Sequence, residues 1–327
     1  MARNRLLFTV FFSFCVVCIT ILGIYFGRFD RVTVSSFALL EPWIAHSSSK
    51  LEVSLEKTQQ ERKALIKETC EMFPAKFHFD AVKNISQFFV EDNHGILFCS
   101  VPKVASSNWK RILGFLRNKT NINNWLHQKR IHEGDFVRRL DSYTPQEKKI
   151  RLQSYTKFFF VREPMERLLS AFRSKFRNDK NKYFPARYGK EITKRYRKDR
   201  PPEFVNTGND VSFDEFLRYL VDPKTVKRHP FNAHWRQYYE LCYPCHIQYD
   251  FIGKYETLLI DAQSVLKLTN ADEFVSFPPG TQRTGKTYNL VADYYGKIPK
   301  DVIEKLYDLY KIDYTMFGYS WPKQLCS

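Results

Sequence analysis

Lys103, Ser106, Ser107 and Asn108 lie within one short stretch, and Arg162 and Ser170 form a second set further along the chain. A cation beside small polar residues is suited to holding an oxyanion. Ser and Asn favour helix N-termini, where backbone N–H groups and the helix dipole attract phosphate or sulfate, and Lys103 adds a full charge.

The sequence around each set shows how it would be positioned. Ile96–Leu116 reads ILFCSVPKVASSNWKRILGFL. Ile96, Leu97, Phe98, Cys99 and Val101 make a short apolar run of strand length, whereas Trp109, Ile112, Leu113 and Leu116 recur with helical spacing. Tyr155–Arg177, YTKFFFVREPMERLLSAFRSKFR, repeats the plan. Phe158–Val161 is extended and apolar, Pro164 suits a first helical turn, and Met165, Leu168, Leu169, Phe172 and Phe176 form an inward stripe. Arg162 sits where strand gives way to helix, a position from which α/β folds address ligands.

The 327 residues allow one catalytic-sized domain with accessories, and 43% hydrophobic residues with 29 phenylalanines argue against general disorder. A formal charge of +17 points to an acidic partner. Leu6–Phe26 carries no charge and has the length of a membrane-spanning helix, longer than the apolar core of a cleaved signal peptide. Arg3 and Arg5 before it keep the N-terminus cytoplasmic, giving a type II signal-anchor. The expected organisation is a tail at 1–5, the anchor at 6–26, a luminal stem at 27–80 and a luminal catalytic domain at 81–327. Fewer than three clean heptads in the stem make it a spacer, with homo-oligomerisation through it the weaker alternative.

A lumen permits disulfides. Of Cys70, Cys99, Cys242, Cys245 and Cys326, the expectation is two bridges and one free thiol, with Cys99 the buried free one. A single CxxC at Cys242 and Cys245 does not complete a zinc site. Asn84 and Asn118 begin glycosylation sequons. Between Arg173 and Arg200 twelve basic residues face three acidic ones, too one-sided for i,i+4 pairing to neutralise, so the stretch reads as a docking surface for a polyanion other than nucleic acid. Further helices are expected over Asp210–Val221 and from Pro299, and a strand within YDFIGKYE. Gly280–Thr287, GTQRTGKT, matches the phosphate loop of nucleotide hydrolases literally, but Phe277-Pro278-Pro279 breaks any preceding strand and only one helix and a tail can follow.

VPKVASSNWKRIL, FFFVREPMERLLSAFRSKF and HWRQYYELCYPCHIQYDFIGKYETL, in that order, resemble Golgi carbohydrate sulfotransferases of the HNK-1 group, especially chondroitin 4-O-sulfotransferases, over roughly residues 70 to 321. The resemblance implies a P-loop-like α/β fold with a central parallel sheet flanked by helices, location in the Golgi membrane, and 3'-phosphoadenylyl sulfate (PAPS) as donor without a metal. It also implies that Pro102, Lys103, Val104, Ala105, Ser106, Ser107 and Asn108 hold the 5'-phosphosulfate. Arg162, Glu163, Pro164, Met165, Glu166, Arg167, Leu168, Leu169 and Ser170 hold the 3'-phosphate, chiefly through Arg162 and Ser170, with Arg283 of the TQRT segment an extra contact. The reaction is in-line attack of a sugar hydroxyl on sulfur, in which Lys103 stabilises the charge that builds in the transition state. A base near neutral pH is needed; His132, between the two donor motifs, is the choice over His234, His127 and Glu133. The implied acceptor is the GalNAc 4-hydroxyl of chondroitin or dermatan. Terminal glucuronate or N-glycan GalNAc, or an inactive glycosaminoglycan-binding protein, are the alternatives.

Overall fold

The computed structural model describes residues 53–77, 85–118, 137–178, 181–199, 206–228, 230–278 and 287–321. The expected anchor at Leu6–Phe26, most of the stem, Asn84, His127, His132, Glu133, Arg283 and Cys326 lie outside them, and among the described residues no helix is long and apolar enough to cross a membrane. The chain divides into two compact units, 1–58 and 59–327. The first is described only at 53–58, which are helical; the second opens with helical residues 59–72 (α1).

In the second unit a five-stranded sheet runs in the order β3-β1-β2-β4-β5, with β1 at Phe88–Glu91, β2 at Ile96–Cys99, β3 at Arg138–Arg139, β4 at Thr156–Val161 and β5 at Phe251–Lys254. The expected parallel sheet is its core: β2 pairs β4, and β4 pairs β5, in parallel. On the other side β1 pairs antiparallel with β2 and with β3, so the sheet is mixed. Helices α2 (Ser106–Asn118) and α4 (Pro164–Phe176) follow β2 and β4, while α3 (Pro145–Ser154) leads into β4. All of β2 and all but the first residue of β4 are buried, as strands covered on both faces must be. Pleating sends Phe98, Phe158 and Phe160 toward Trp109 of α2, whose ring lies 4.5 Å from that of Phe158. Phe159 points the other way, against Tyr249 and Phe317.

Two edge features hold β5. Gln59 of α1 accepts from the Ile252 N–H at 2.8 Å and donates to its carbonyl at 3.1 Å, so a side chain takes the place of a further strand along that edge. At Gly253 an added Cβ would sit 2.2 Å from the Phe160 ring. Gly253→Ala is therefore expected to destabilise by about 1–3 kcal/mol. A fall in the urea midpoint that Phe160→Leu partly reverses would check this.

The second core is helical. The expected stripe of α4, Met165, Leu168, Leu169, Phe172 and Phe176, packs with Phe213, Phe216, Leu217 and Leu220 of α6 (Phe213–Val221) and Val302, Ile303, Leu306 and Tyr310 of α10 (Lys300–Met316). Ser212 and Glu215 form a capping box that starts α6 three residues later than the apolar pattern alone suggests, and Pro299 caps α10. Helices α5 (Lys190–Tyr196), α7 (Tyr238–Cys242), α8 (Leu258–Leu268) and α9 (Thr287–Tyr295) complete the set used below.

Cys99 is not a free thiol. It pairs with Cys242, and Cys70 pairs with Cys245. Burial in β2 decides only which face of the sheet the Cys99 sulfur takes, and on that face lies the last residue of α7, with its Cα 5.8 Å away. The bridges span 175 and 143 residues, worth on the order of 4–5 kcal/mol each in the chain-entropy limit. Cys70–Cys245 ties α1, within the stretch expected to be stem, onto the same unit as the sheet.

Candidate active site

The loop that leaves β2 turns on two residues in the left-handed region, Lys103 at φ 76° and Ala105 at φ 64°. Non-glycine residues hold that conformation only where their surroundings enforce it. Val104 between them is fully buried, the Ala105 carbonyl accepts from the N–H groups of Asn108 and Trp109, and Arg167 donates to the Pro102 carbonyl at 3.2 Å. The result is a tight turn that delivers the first residues of α2 to a cavity wall without loop glycines.

A matching junction follows β4. Because Cys99 pairs with Phe159 in parallel register, the loop after β4 emerges beside the loop after β2. Arg162 is only 2% exposed, yet it lines the cavity. Its peptide is clamped by Tyr238, whose hydroxyl donates to the Arg162 carbonyl at 2.7 Å and accepts from the Arg162 N–H at 3.0 Å. The guanidinium donates to Glu166 at 2.9 Å and lies 4.3 Å from the centre of the Tyr255 ring. Tyr238 is itself held by Asp313, whose carboxylate oxygens accept its N–H and whose pKa burial pushes up to about 7.

Both junctions open on one cavity of about 520 Å³. Its charged lining is Lys103, Lys110, Arg111, Arg162 and Lys175, and no Asp or Glu is among its described lining residues. Burial, with Lys175, Arg162 and Arg173 nearby, pulls the Lys103 ammonium down to about 8. Burial lowers Lys175 as well. Cations crowded into one cavity suit a multiply charged anion, which offsets both their burial and their mutual repulsion.

Of the residues expected at the donor site, Pro102, Lys103, Ala105, Ser106, Ser107, Asn108, Arg162 and Ser170 line this cavity. The others have different places. Val104 is buried under the loop, and Met165, Leu168 and Leu169 belong to the helical core. Glu163 caps α4 and accepts from the Tyr314 hydroxyl, Pro164 is the buried first residue of α4, and Glu166 is the ion-pair partner of Arg162. Arg167 points away and binds three main-chain carbonyls, those of Pro102, Ala233 and Arg236. His234 lines the cavity with its Nδ1 2.7 Å from Asn232 Oδ1, whereas His132 lies outside the described residues.

Lys110, Arg111, Ser174, Lys175 and Tyr255 line the cavity without having been expected there. Spacing carried a signal for Ser174, since Glu166, Ser170 and Ser174 recur every four residues on the face of α4 opposite the core stripe. Of the basic run from Arg173 to Arg200, Lys175 faces the cavity, but Arg197 is paired with Asp210 and Glu215, and Arg195 with Glu191 and Asp222. Those two arginines hold the fold locally. Among the described residues no cluster of three or more His, Cys, Asp or Glu side chains is arranged to hold a metal.

Comparison with known proteins adds a decisive observation: the model of the sulfotransferase family matches residues 86–320, which include both loops and the whole sheet. The chain belongs to the sulfotransferase family. The sulfotransferase is 41% identical to carbohydrate sulfotransferase 11 of Rattus norvegicus over 244 residues, covering 74% of this chain and 69% of that protein. It is 39% identical to carbohydrate sulfotransferase 8 of Homo sapiens over 276 residues, 83% and 64% of the two chains, and 37% identical to carbohydrate sulfotransferase 12 of Xenopus laevis over 301 residues, 83% and 71%. No solved structure matches the chain significantly. It is thus an enzyme of the carbohydrate sulfotransferases, a family whose reaction takes a sulfate donor.

Proposed function

We propose that the sulfotransferase uses PAPS to sulfate the 4-hydroxyl of GalNAc in chondroitin or dermatan. The observation that carries the donor assignment is the pairing of two cationic junctions at the ends of neighbouring parallel strands in one cavity without acidic lining, which suits a nucleotide charged at both ends. The N-terminal turn of α2 with Ser106, Ser107 and Lys103 holds the 5' end; Arg162 and Ser170 hold the 3'-phosphate. The bound donor supplies an activated sulfuryl group. Lys103 then faces the bridging oxygen on which charge accumulates as the bond to sulfur breaks.

The acceptor and its regiochemistry rest on the motif resemblance, because relatives numbered 8, 11 and 12 match at nearly even identity. His132 is proposed as the base, in a type II protein of the Golgi membrane anchored through Leu6–Phe26. His132→Ala is expected to lower kcat by about 10²-fold or more, with His234→Ala within a few-fold of the parent. The reverse pattern assigns the base to His234, which already stands at the cavity wall. Incubation with labelled PAPS and a panel of desulfated glycans, followed by disaccharide analysis, tests the function itself. Incorporation at the GalNAc 4-position is expected, and no incorporation into any glycan would sink the reading.

A further inference from the structure

We propose that Lys110, with Arg111 beside it on α2, forms an acceptor subsite for the carboxylate of a uronic-acid residue next to the sugar that is sulfated. The proposal rests on the donor reading above. Sheet order places the three parts of the cavity in line: Arg162 follows β4, the Pro102–Ser107 loop follows β2, and Lys110 lies over β1, its Nζ 4.2 Å from the centre of the Phe89 ring. A donor that spans from the β4 junction to the β2 loop presents its sulfuryl end toward β1. In-line displacement requires the attacking hydroxyl on the side of sulfur opposite the leaving oxygen, so the acceptor approaches from where Lys110 stands.

The charges there have no other use that the described residues show. Arg162 is paired with Glu166, and Lys103 and Lys175 lie with the donor junctions. Lys110 has an aromatic ring beneath it and no carboxylate partner among the described residues. Arg111 spends one Nη on Asn108 Oδ1 at 2.9 Å, while its buried Nε has no partner among the described residues. Burial, with Arg139 nearby, pulls the Lys110 ammonium down to about 8, so an arriving anion offsets a cost already present. A fixed ammonium beside a guanidinium fork suits a planar carboxylate.

The test uses the full chain, wild type and with Lys110→Met or Arg111→Gln. Two quantities are measured: the Kd for 3'-phosphoadenosine 5'-phosphate, and the ratio of kcat/KM for desulfated chondroitin to that for the same polymer with its carboxyls reduced to alcohols. Wild type is expected to prefer the carboxylated polymer by about tenfold or more, and Lys110→Met to bring that preference below about threefold with the nucleotide Kd within about twofold. Retention of the preference by both variants overturns the proposal. So does a loss of nucleotide affinity in step with it, which would give Lys110 to the donor. If wild type binds no nucleotide, the donor reading itself has failed, and this subsite with it.

Discussion

Lys103→Met is expected to lower kcat by about 10²- to 10³-fold while leaving the protein as stable as its parent, or more so, below pH 8. The two halves of this prediction have one cause. Lys103 is fixed at the start of a left-handed turn, half-buried, with Lys175, Arg162 and Arg173 repelling it, and its ammonium is pulled down to about 8. A lysine whose folded pKa lies below its unfolded value binds fewer protons when folded. Stability therefore rises with pH between about 8 and the unfolded value near 10.5, and below 8 the buried charge is a burden on the fold. Removing it relieves the fold and costs the reaction. In the proposed role the protonated form is the competent one, so kcat/KM is expected to fall as pH rises through about 8. A donor bound as proposed surrounds the ammonium with anionic oxygens and raises its pKa, which is expected to move the falling limb of kcat to higher pH than that of kcat/KM. Paired pH profiles and urea titrations of parent and variant check each half. A variant that loses stability at pH 7 in proportion to activity would make Lys103 a structural residue.

The strand and helix that flank each cavity loop are legible because their apolar residues recur at the periods that burial imposes. Phe158–Val161 and the stripe from Met165 to Phe176 occupy the places that the pattern assigns them. What could not be read depends on partners distant in sequence. Cys99 was legible as buried but not as bonded, since only the docking of α7 brings Cys242 to it. Arg197 counts as unbalanced charge in its own segment, and its partners Asp210 and Glu215 lie 13 and 18 residues on, beyond any i,i+4 rule; Arg195 has Glu191 at i,i+4 spacing, but its second partner, Asp222, is 27 residues away. The antiparallel β3 is illegible for a related reason: it is only Arg138–Arg139, both exposed, and carries no apolar alternation. Within the donor motif, a contiguous run from Arg162 to Ser170 cannot all face one cavity, because a helix turns each residue about 100° from the last. Ser170 and the core residues Leu168 and Leu169 therefore part company, and Arg167, one turn before Ser170, spends its guanidinium on three main-chain carbonyls.

Those three bonds give Arg167 the largest structural role expected of any single side chain here. Arg167→Ala should destabilise the fold by about 2–4 kcal/mol, because three half-buried carbonyls lose a charged donor at once. The guanidinium donates to Pro102 of the β2 loop and to Ala233 and Arg236 on either side of the wall that carries His234, and it stacks 4.5 Å from the centre of the Tyr238 ring. One planar fork thus fixes the loop after β2, the histidine segment and the tyrosine that clamps Arg162. Arg167→Lys keeps the charge but offers a single ammonium that cannot reach three divergent carbonyls, so it should recover only part of the loss. The charge matters as well, since the field of Arg167 holds the Asp313 carboxyl below the value that burial alone would give it. Without Arg167, Asp313 takes up a proton at higher pH, and its grip on the Tyr238 N–H weakens across the neutral range. Urea unfolding of the three proteins measures the stability term, and donor KM at a temperature where all remain folded measures how far the loop has slackened. A loss below about 1 kcal/mol with unchanged donor KM would show that water or a shifted backbone replaces the brace.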